Sequence, residues 1–202
     1  MGRGRRVVAC VCLALGVSSL GGVAVAARPS QETPTPAGEW VHSVCGALVN
    51  WRGDVERAAT DATNSTQKAR KLSASAKAKK AKEAMGEFLG VALDATTTAQ
   101  ENLRAIGGPP VTNNADVEDA LLASFDQLTS FFQSSRDQTQ AASTKNAKRA
   151  ERKLSSIAAA VTNQSNEVHS LMNSAIAKDV SGELSGAIEA DPQCVDVVGG
   201  EG

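Results

Sequence analysis

The chain's apolar residues fall, in four successive stretches, at alternating spacings of three and four. That period admits little except packed amphipathic helices. Val41, Val44, Leu48, Trp51, Val55, Ala58 and Ala62 form the first seam and predict a helix over about 38–63. Met85, Leu89, Ala92, Thr96, Ala99, Leu103 and Ile106 form the second, in a helix whose start near Gln67 is less regular. Gly107-Gly108-Pro109-Pro110 stops it, since glycine suits a helix C-cap and proline cannot continue the hydrogen-bond ladder. Val117, Leu121, Phe125, Leu128 and Phe132, widened by Leu122 and Phe131, form the third seam. Asn114 is its expected cap, and Asp116, Glu118 and Asp119 favour the positive end of its dipole. The apolar pattern fades over 134–143, where a turn is predicted. Ala147, Ala150, Leu154, Ile157, Val161, Val168, Leu171 and Ala175, interrupted by Gln164, predict a fourth helix over about 144–178. A short helix over 181–190 is expected to follow it.

Short joins between such segments imply an all-α fold: an antiparallel up-and-down bundle of about four long helices plus a short C-terminal helix. In that topology helices one and four are adjacent. Arg70-Lys71-Leu72-Ser73 recurs as Arg152-Lys153-Leu154-Ser155, an echo that hints at two related hairpins with the repeat in the second helix of each.

The first 26 residues read as an export signal. Arg3, Arg5 and Arg6 make a basic start, Val7 to Leu20 an apolar run, and Ala24-Val25-Ala26 the small-x-small pattern of a peptidase site. The rival reading, a retained anchor over Val7 to Ala26, is long enough to span a bilayer but rich in Gly, Ser and Ala. Cys10 has no apolar segment before it of the kind a lipoprotein box needs, so lipidation is not expected. Residues 27–38, with Pro29, Pro34 and Pro36, read as an exposed linker. The folded bundle then spans 39–194, with 195–202 as a flexible tail and no transmembrane segment in the mature chain. Removing the three arginines of the signal leaves 18 basic against 22 acidic residues, a net of about −4. That balance gives no support to nucleic-acid binding, which usually needs a basic excess.

Cys10 and Cys12 leave with the signal, so Cys45 and Cys194 are the whole mature inventory. An even pair in an exported chain points to a disulfide, which would tie the first helix to the C-terminal tail. The chain has no tyrosine and is rich in alanine and serine, so its core is built of small side chains and gains from such a tie. Trp40 and Trp51 sit on the first seam, where core packing is their expected role.

Sites for chemistry are scarce. Glu39-x-x-His42 has the spacing that di-iron bundles use, but no second such motif follows; Glu167 and His169 are two apart and diverge on a helix. No metal, cofactor or catalytic residue is expected. There is no Gly-x-Ser-x-Gly elbow, and Gly107-Gly108 is followed by prolines that lack the N–H groups a phosphate needs. The most unusual chemical feature is a basic run of Lys68, Arg70, Lys71, Lys77, Lys79, Lys80 and Lys82, uninterrupted by any acid. It suits an anionic cell-wall polymer or membrane surface; the bland alternative is a solvated helix face or a polar connection after Asn64-Ser65-Thr66. It lacks the interleaved aromatics that stack nucleic-acid bases. Lys145, Lys148, Arg149, Arg152 and Lys153 form a second cluster, and a shared face would favour binding.

The segment Trp40-Val41-x-x-Val44-Cys45 with Trp51, the turn at Gly108-Pro109 and Pro192-x-Cys194 resemble a group of small exported actinobacterial proteins. The resemblance implies an exported helical bundle with a Cys45–Cys194 bridge, in a group whose activity is generally unassigned. Many of its members are lipoproteins, and this chain departs by lacking a usable lipobox. The expectation is a secreted, non-enzymatic interaction or structural protein of the cell envelope, with no protein partner named by the sequence. The alternative is a carrier of a small hydrophobic ligand, lined by Trp40, Trp51, Phe125 and Phe132.

Overall fold

The computed structural model describes residues 35–194, apart from the side chains of residues 165–169, 171 and 172. The signal at 1–26, most of the linker and the tail at 195–202 lie outside the described residues, as do the side chains of Glu167 and His169. Within them the chain is all-helical: α1 Pro36–Lys68, a 3₁₀ turn Ala69–Lys71, α2 Ala74–Ile106, α3 Asn114–Ala141, α4 Ala147–Ile176 and α5 Glu183–Ala190. Successive long helices run antiparallel. The start of α1 meets the end of α2 where Trp40 Nε1 donates to the Gly107 carbonyl at 2.7 Å. The starts of α2 and α4 meet the end of α3 through Lys82 and Lys153.

Several boundaries differ from the sequence expectation, each for a local reason. Helix α1 begins inside the expected linker. Thr35 accepts from Gly38 N at 3.1 Å as N-cap, and Pro36 occupies the first turn, where its missing N–H is no loss. It also runs through Asn64-Ser65-Thr66, because the hydroxyls of Thr60, Thr63 and Thr66 donate to carbonyls of the preceding turn. The chain reverses instead at Leu72-Ser73, and Ser73 caps α2. The predicted turn over 134–143 is mostly helix. Ser135 and Thr139 are buried there, with Thr139 bonded to the Ser135 carbonyl, so they pack as small residues. Asn113, one residue earlier than expected, is the cap position of α3, and its amide donates to the Lys178 carbonyl instead of capping. Gly107 closes α2 at φ 76° and ψ −172°, a conformation open to glycine.

The packing departs from a closed four-helix ring. Helix α2 packs on α1, α3 and α4, while α1 and α4, expected to be adjacent, approach each other much less closely and meet mainly near Ala175 and Ile176. Alanines at 78, 84, 92 and 99 of α2 are buried, and such small side chains let three helices approach one. The main core joins Leu48, Phe88, Leu89, Leu103, Phe125, Leu128 and Phe132 from α1, α2 and α3 with Ile157 of α4. A smaller core under α5 joins Val41, Cys45, Val117, Leu184 and Cys194. The Arg-Lys-Leu-Ser echo does not survive in three dimensions. Leu72 is 43% exposed at the α1–α2 reversal, whereas Leu154 is 5% exposed in the middle of a helix.

Helix α5 is held by one buried carboxylate. Asp179 accepts from Leu184 N at 2.9 Å, and from the N–H and hydroxyl of Ser181. The Ser181 hydroxyl, helped by the backbone N–H groups of Leu184, Ser181 and Gly182, holds its carboxyl below the ordinary value near 3.8 against the opposing effect of burial. A depressed folded value means that this stabilisation is complete above about pH 4 and is lost as the pH falls through the folded value. Asp179→Asn is expected to cost about 1–2 kcal/mol and to reduce the acid-induced loosening of α5 to the part that Asp191 contributes. Amide exchange of α5 between pH 3 and pH 6 would check this; exchange that depends on pH equally in both proteins would refute it.

Candidate functional site

The two ends of the bundle differ in chemistry. One gathers the start of α1, the end of α2, the start of α3, the end of α4 and α5. Here Cys45 of α1 and Cys194 are joined, with Cα atoms 5.2 Å apart, so the helix and the tail beyond α5 are tied as the sequence suggested. One turn away, His42 Nδ1 lies 2.8 Å from Asp191 Oδ2. Burial pushes the Asp191 carboxyl up, but the His42 ring and the backbone N–H groups of Gln193 and Cys194 together hold it below its ordinary value. Glu39 is exposed and does not join His42 in a ligand set; no group of three or more metal-binding side chains occurs among the described residues. The remaining charge at this end is mostly acidic, including Glu101, Asp116, Glu118, Asp119, Glu183 and Glu189.

The other end gathers the end of α1, the 3₁₀ turn, the start of α2, the end of α3 and the start of α4. The two basic clusters, some seventy residues apart in the chain, meet here because α1 and α2 each have 33 residues and α3 and α4 match them closely. Segments 60–85 and 133–158, which build this end, carry 13 basic and 4 acidic residues. A mildly acidic chain is thus strongly polarised along its axis. Lys68, Arg70, Lys71, Lys77 and Lys79 are exposed, as are Lys145, Lys148, Arg149 and Arg152.

Three of the expected contact residues are partly committed elsewhere. Lys82 donates to the carbonyls of Gln140 and Ala142 at 2.6 and 2.9 Å, capping the C-terminus of α3, so it is a structural residue. Lys80 pairs with Glu83 at 2.6 Å, an exposed contact that raises the Lys80 pKa and lowers that of Glu83, chiefly by their hydrogen bond. Lys153 donates to Gln138 Oε1 at 2.7 Å. The sequence carried no sign of the Lys82 role, because its partners are backbone carbonyls of another helix.

Between α1 and α4, where the ring stays open, lies a solvent-open groove of about 240 Å³. Ala62, Ala81, Ala84, Met85, Leu154 and Ala158 give it an apolar floor, and Thr63, Thr66 and Ser155 add hydroxyls. Lys77 precedes Ala81 by one turn on α2, and Lys148 and Arg152 precede Ser155 by seven and three residues on α4. Exposed basic residues thus lie on the same helices within about two turns of the lining, toward the basic end.

The aromatics proposed as a carrier lining are spent on packing. Trp51 meets Phe125 edge to face at 5.8 Å, and its Nε1 donates to Thr96 Oγ1 at 3.0 Å. Phe132 lies edge to face with Phe131. Trp40 alone of the four lines an apolar cavity under α5, and that cavity is about 30 Å³, room for little more than one water. Comparison with protein-family models, curated proteins and solved structures gave no match.

Proposed function

We propose that this is an exported, non-enzymatic interaction protein of the cell envelope, which binds an anionic partner through its basic end. The observation that carries the reading is the meeting of two basic clusters, from separate helices, at one end of a polarised bundle. Exposed side chains from the 3₁₀ turn, α2 and α4 then act on one partner together, and their fields add over a distance of about 8–10 Å in physiological salt. Among the described residues no helix is long and apolar enough to cross a membrane. A bundle whose longest helices span about 50 Å, tied by a disulfide at the end opposite its basic clusters, suits a spacer or adaptor in an oxidising compartment. The carrier reading has less support, since a drug-sized ligand needs about 300–1,000 Å³ of pocket.

The test is retention of the mature chain, beginning at Ala27, on anionic cell-wall fragments at rising salt. Replacing Lys77, Lys79, Lys148 and Arg149 together by alanine is expected to weaken retention at least tenfold and to flatten its salt dependence. These four are exposed, so the fold should be unaffected. Retention that is insensitive both to salt and to the quadruple variant would refute the reading.

A further inference from the structure

We infer that the groove between α1 and α4 seats a linear polyanion, a strand of repeating anionic groups on a polyol or sugar backbone, rather than a flat bilayer. The inference rests on the basic-end reading and names the partner of that site. A planar anionic surface needs charges at the tip and nothing more. This end offers something else: a concave channel within the basic end, with Lys77 one turn before Ala81 on α2 and Arg152 and Lys148 about one and two turns before Ser155 on α4. Its lining mixes methyl and thioether groups with the hydroxyls of Thr63, Thr66 and Ser155. That mixture matches a polyol or sugar strand, which presents C–H faces, hydroxyls and anions in turn. The channel is too shallow and too open to enclose a whole small ligand, but a strand needs no enclosure. Nor does the end suit a membrane interface, where a docking element buries a broad apolar face. Leu72 is the only large apolar side chain that is well exposed there among the described residues. The α1–α4 opening would be an uncovered flaw in a bundle that merely rested on a bilayer, whereas a strand lying in it covers the half-buried Ala62, Ala81, Met85 and Ala158.

Glycerol phosphate occurs both in linear polymers and in lipid headgroups, so one anion chemistry can be offered in both forms. Binding of the full mature chain to poly(glycerol phosphate) is compared with binding to phosphatidylglycerol vesicles at equal glycerol phosphate concentration. Ser155→Trp and Thr66→Trp, on opposite walls at exposed positions, fill the groove without changing any charge. Circular dichroism and melting confirm that each is folded. The expected result is tighter binding to the strand than to vesicles. Either folded variant should then lose at least tenfold in strand affinity, with vesicle affinity not reduced. About five engaged phosphates would give a log–log salt slope near −3.5. Strand affinity unchanged in both folded variants overturns the groove as the seat. Vesicles bound more tightly than the strand would make the bilayer the partner and overturn this inference while leaving the basic-end reading intact. Binding to neither probe at low salt overturns both.

Discussion

Removing the Cys45–Cys194 bridge is expected to lower stability by about 4–5 kcal/mol, the largest effect of any small change to this chain. The bridge closes a separation of 149 residues, so it restricts almost the whole bundle in the unfolded state. Reduction is the cleanest form of the test because it leaves every atom of the core in place. A Cys45→Ala, Cys194→Ala pair is the genetic counterpart; alanine avoids burying a hydroxyl where both residues are 3% or less exposed. In denaturant the midpoint should fall, and the slope of stability against denaturant should steepen as the untied unfolded chain exposes more surface. Helix α5 should not detach at once. Leu184 is fully buried, Asp179 still caps the helix, and the His42–Asp191 contact still bridges α1 and the tail. The loss should therefore appear mainly as global destabilisation. A change below about 1 kcal/mol on reduction would mean that the unfolded chain is already compact, or that α5 docking alone sets the stability of this end.

What the sequence disclosed and what it hid follow from the range of the interactions concerned. The seams of the four long helices and the stop at Gly107-Gly108 were readable because periodicity and glycine or proline conformation are local properties. Where a polar residue took an apolar residue's place, the pattern misled. Buried Ser135 and Thr139 satisfy their hydroxyls within α3, so the helix continues where apolar spacing fades. Pro36 looked like linker chemistry and serves as a helix start once Thr35 caps it. The candidate site was half legible. Each basic residue could be named, but their meeting depends on matched helix lengths, and Lys82 dropped out because it caps α3. The groove could not be read at all. It exists because α4 packs on α2 more closely than on α1 at this end, and no spacing along one helix encodes that choice.

Phe125→Ala is expected to cost about 3–5 kcal/mol, a large part of the 5–15 kcal/mol that holds a typical domain together. Phe125 is 1% exposed at the point where α1, α2 and α3 meet, in one cluster with Leu48, Phe88, Leu89, Leu128 and Phe132, so its removal would leave a cavity in the middle of the main core. Side chains held between long helices follow such a vacancy only in part, so the cavity term adds to the lost burial. Trp51→Ala should cost less, about 2–4 kcal/mol, since the indole is only half-buried. It removes two contacts at once: the edge-to-face ring pair with Phe125 and the Nε1 bond to Thr96. Trp51→Phe separates them. A ring remains for Phe125, while Thr96 keeps its own bond to the Ala92 carbonyl at 2.6 Å and loses only the indole donor, a change worth about 1 kcal/mol. The double mutant completes a cycle whose coupling should be about 0.5–1.5 kcal/mol if the two rings attract beyond simple burial. Chemical denaturation followed by helical circular dichroism measures all four proteins, independently of tryptophan fluorescence. A coupling near zero would leave the rings as neighbours without mutual stabilisation. A cost for Phe125→Ala smaller than that for Trp51→Ala would go further, placing the centre of the core on α1 instead of at the junction of α1, α2 and α3.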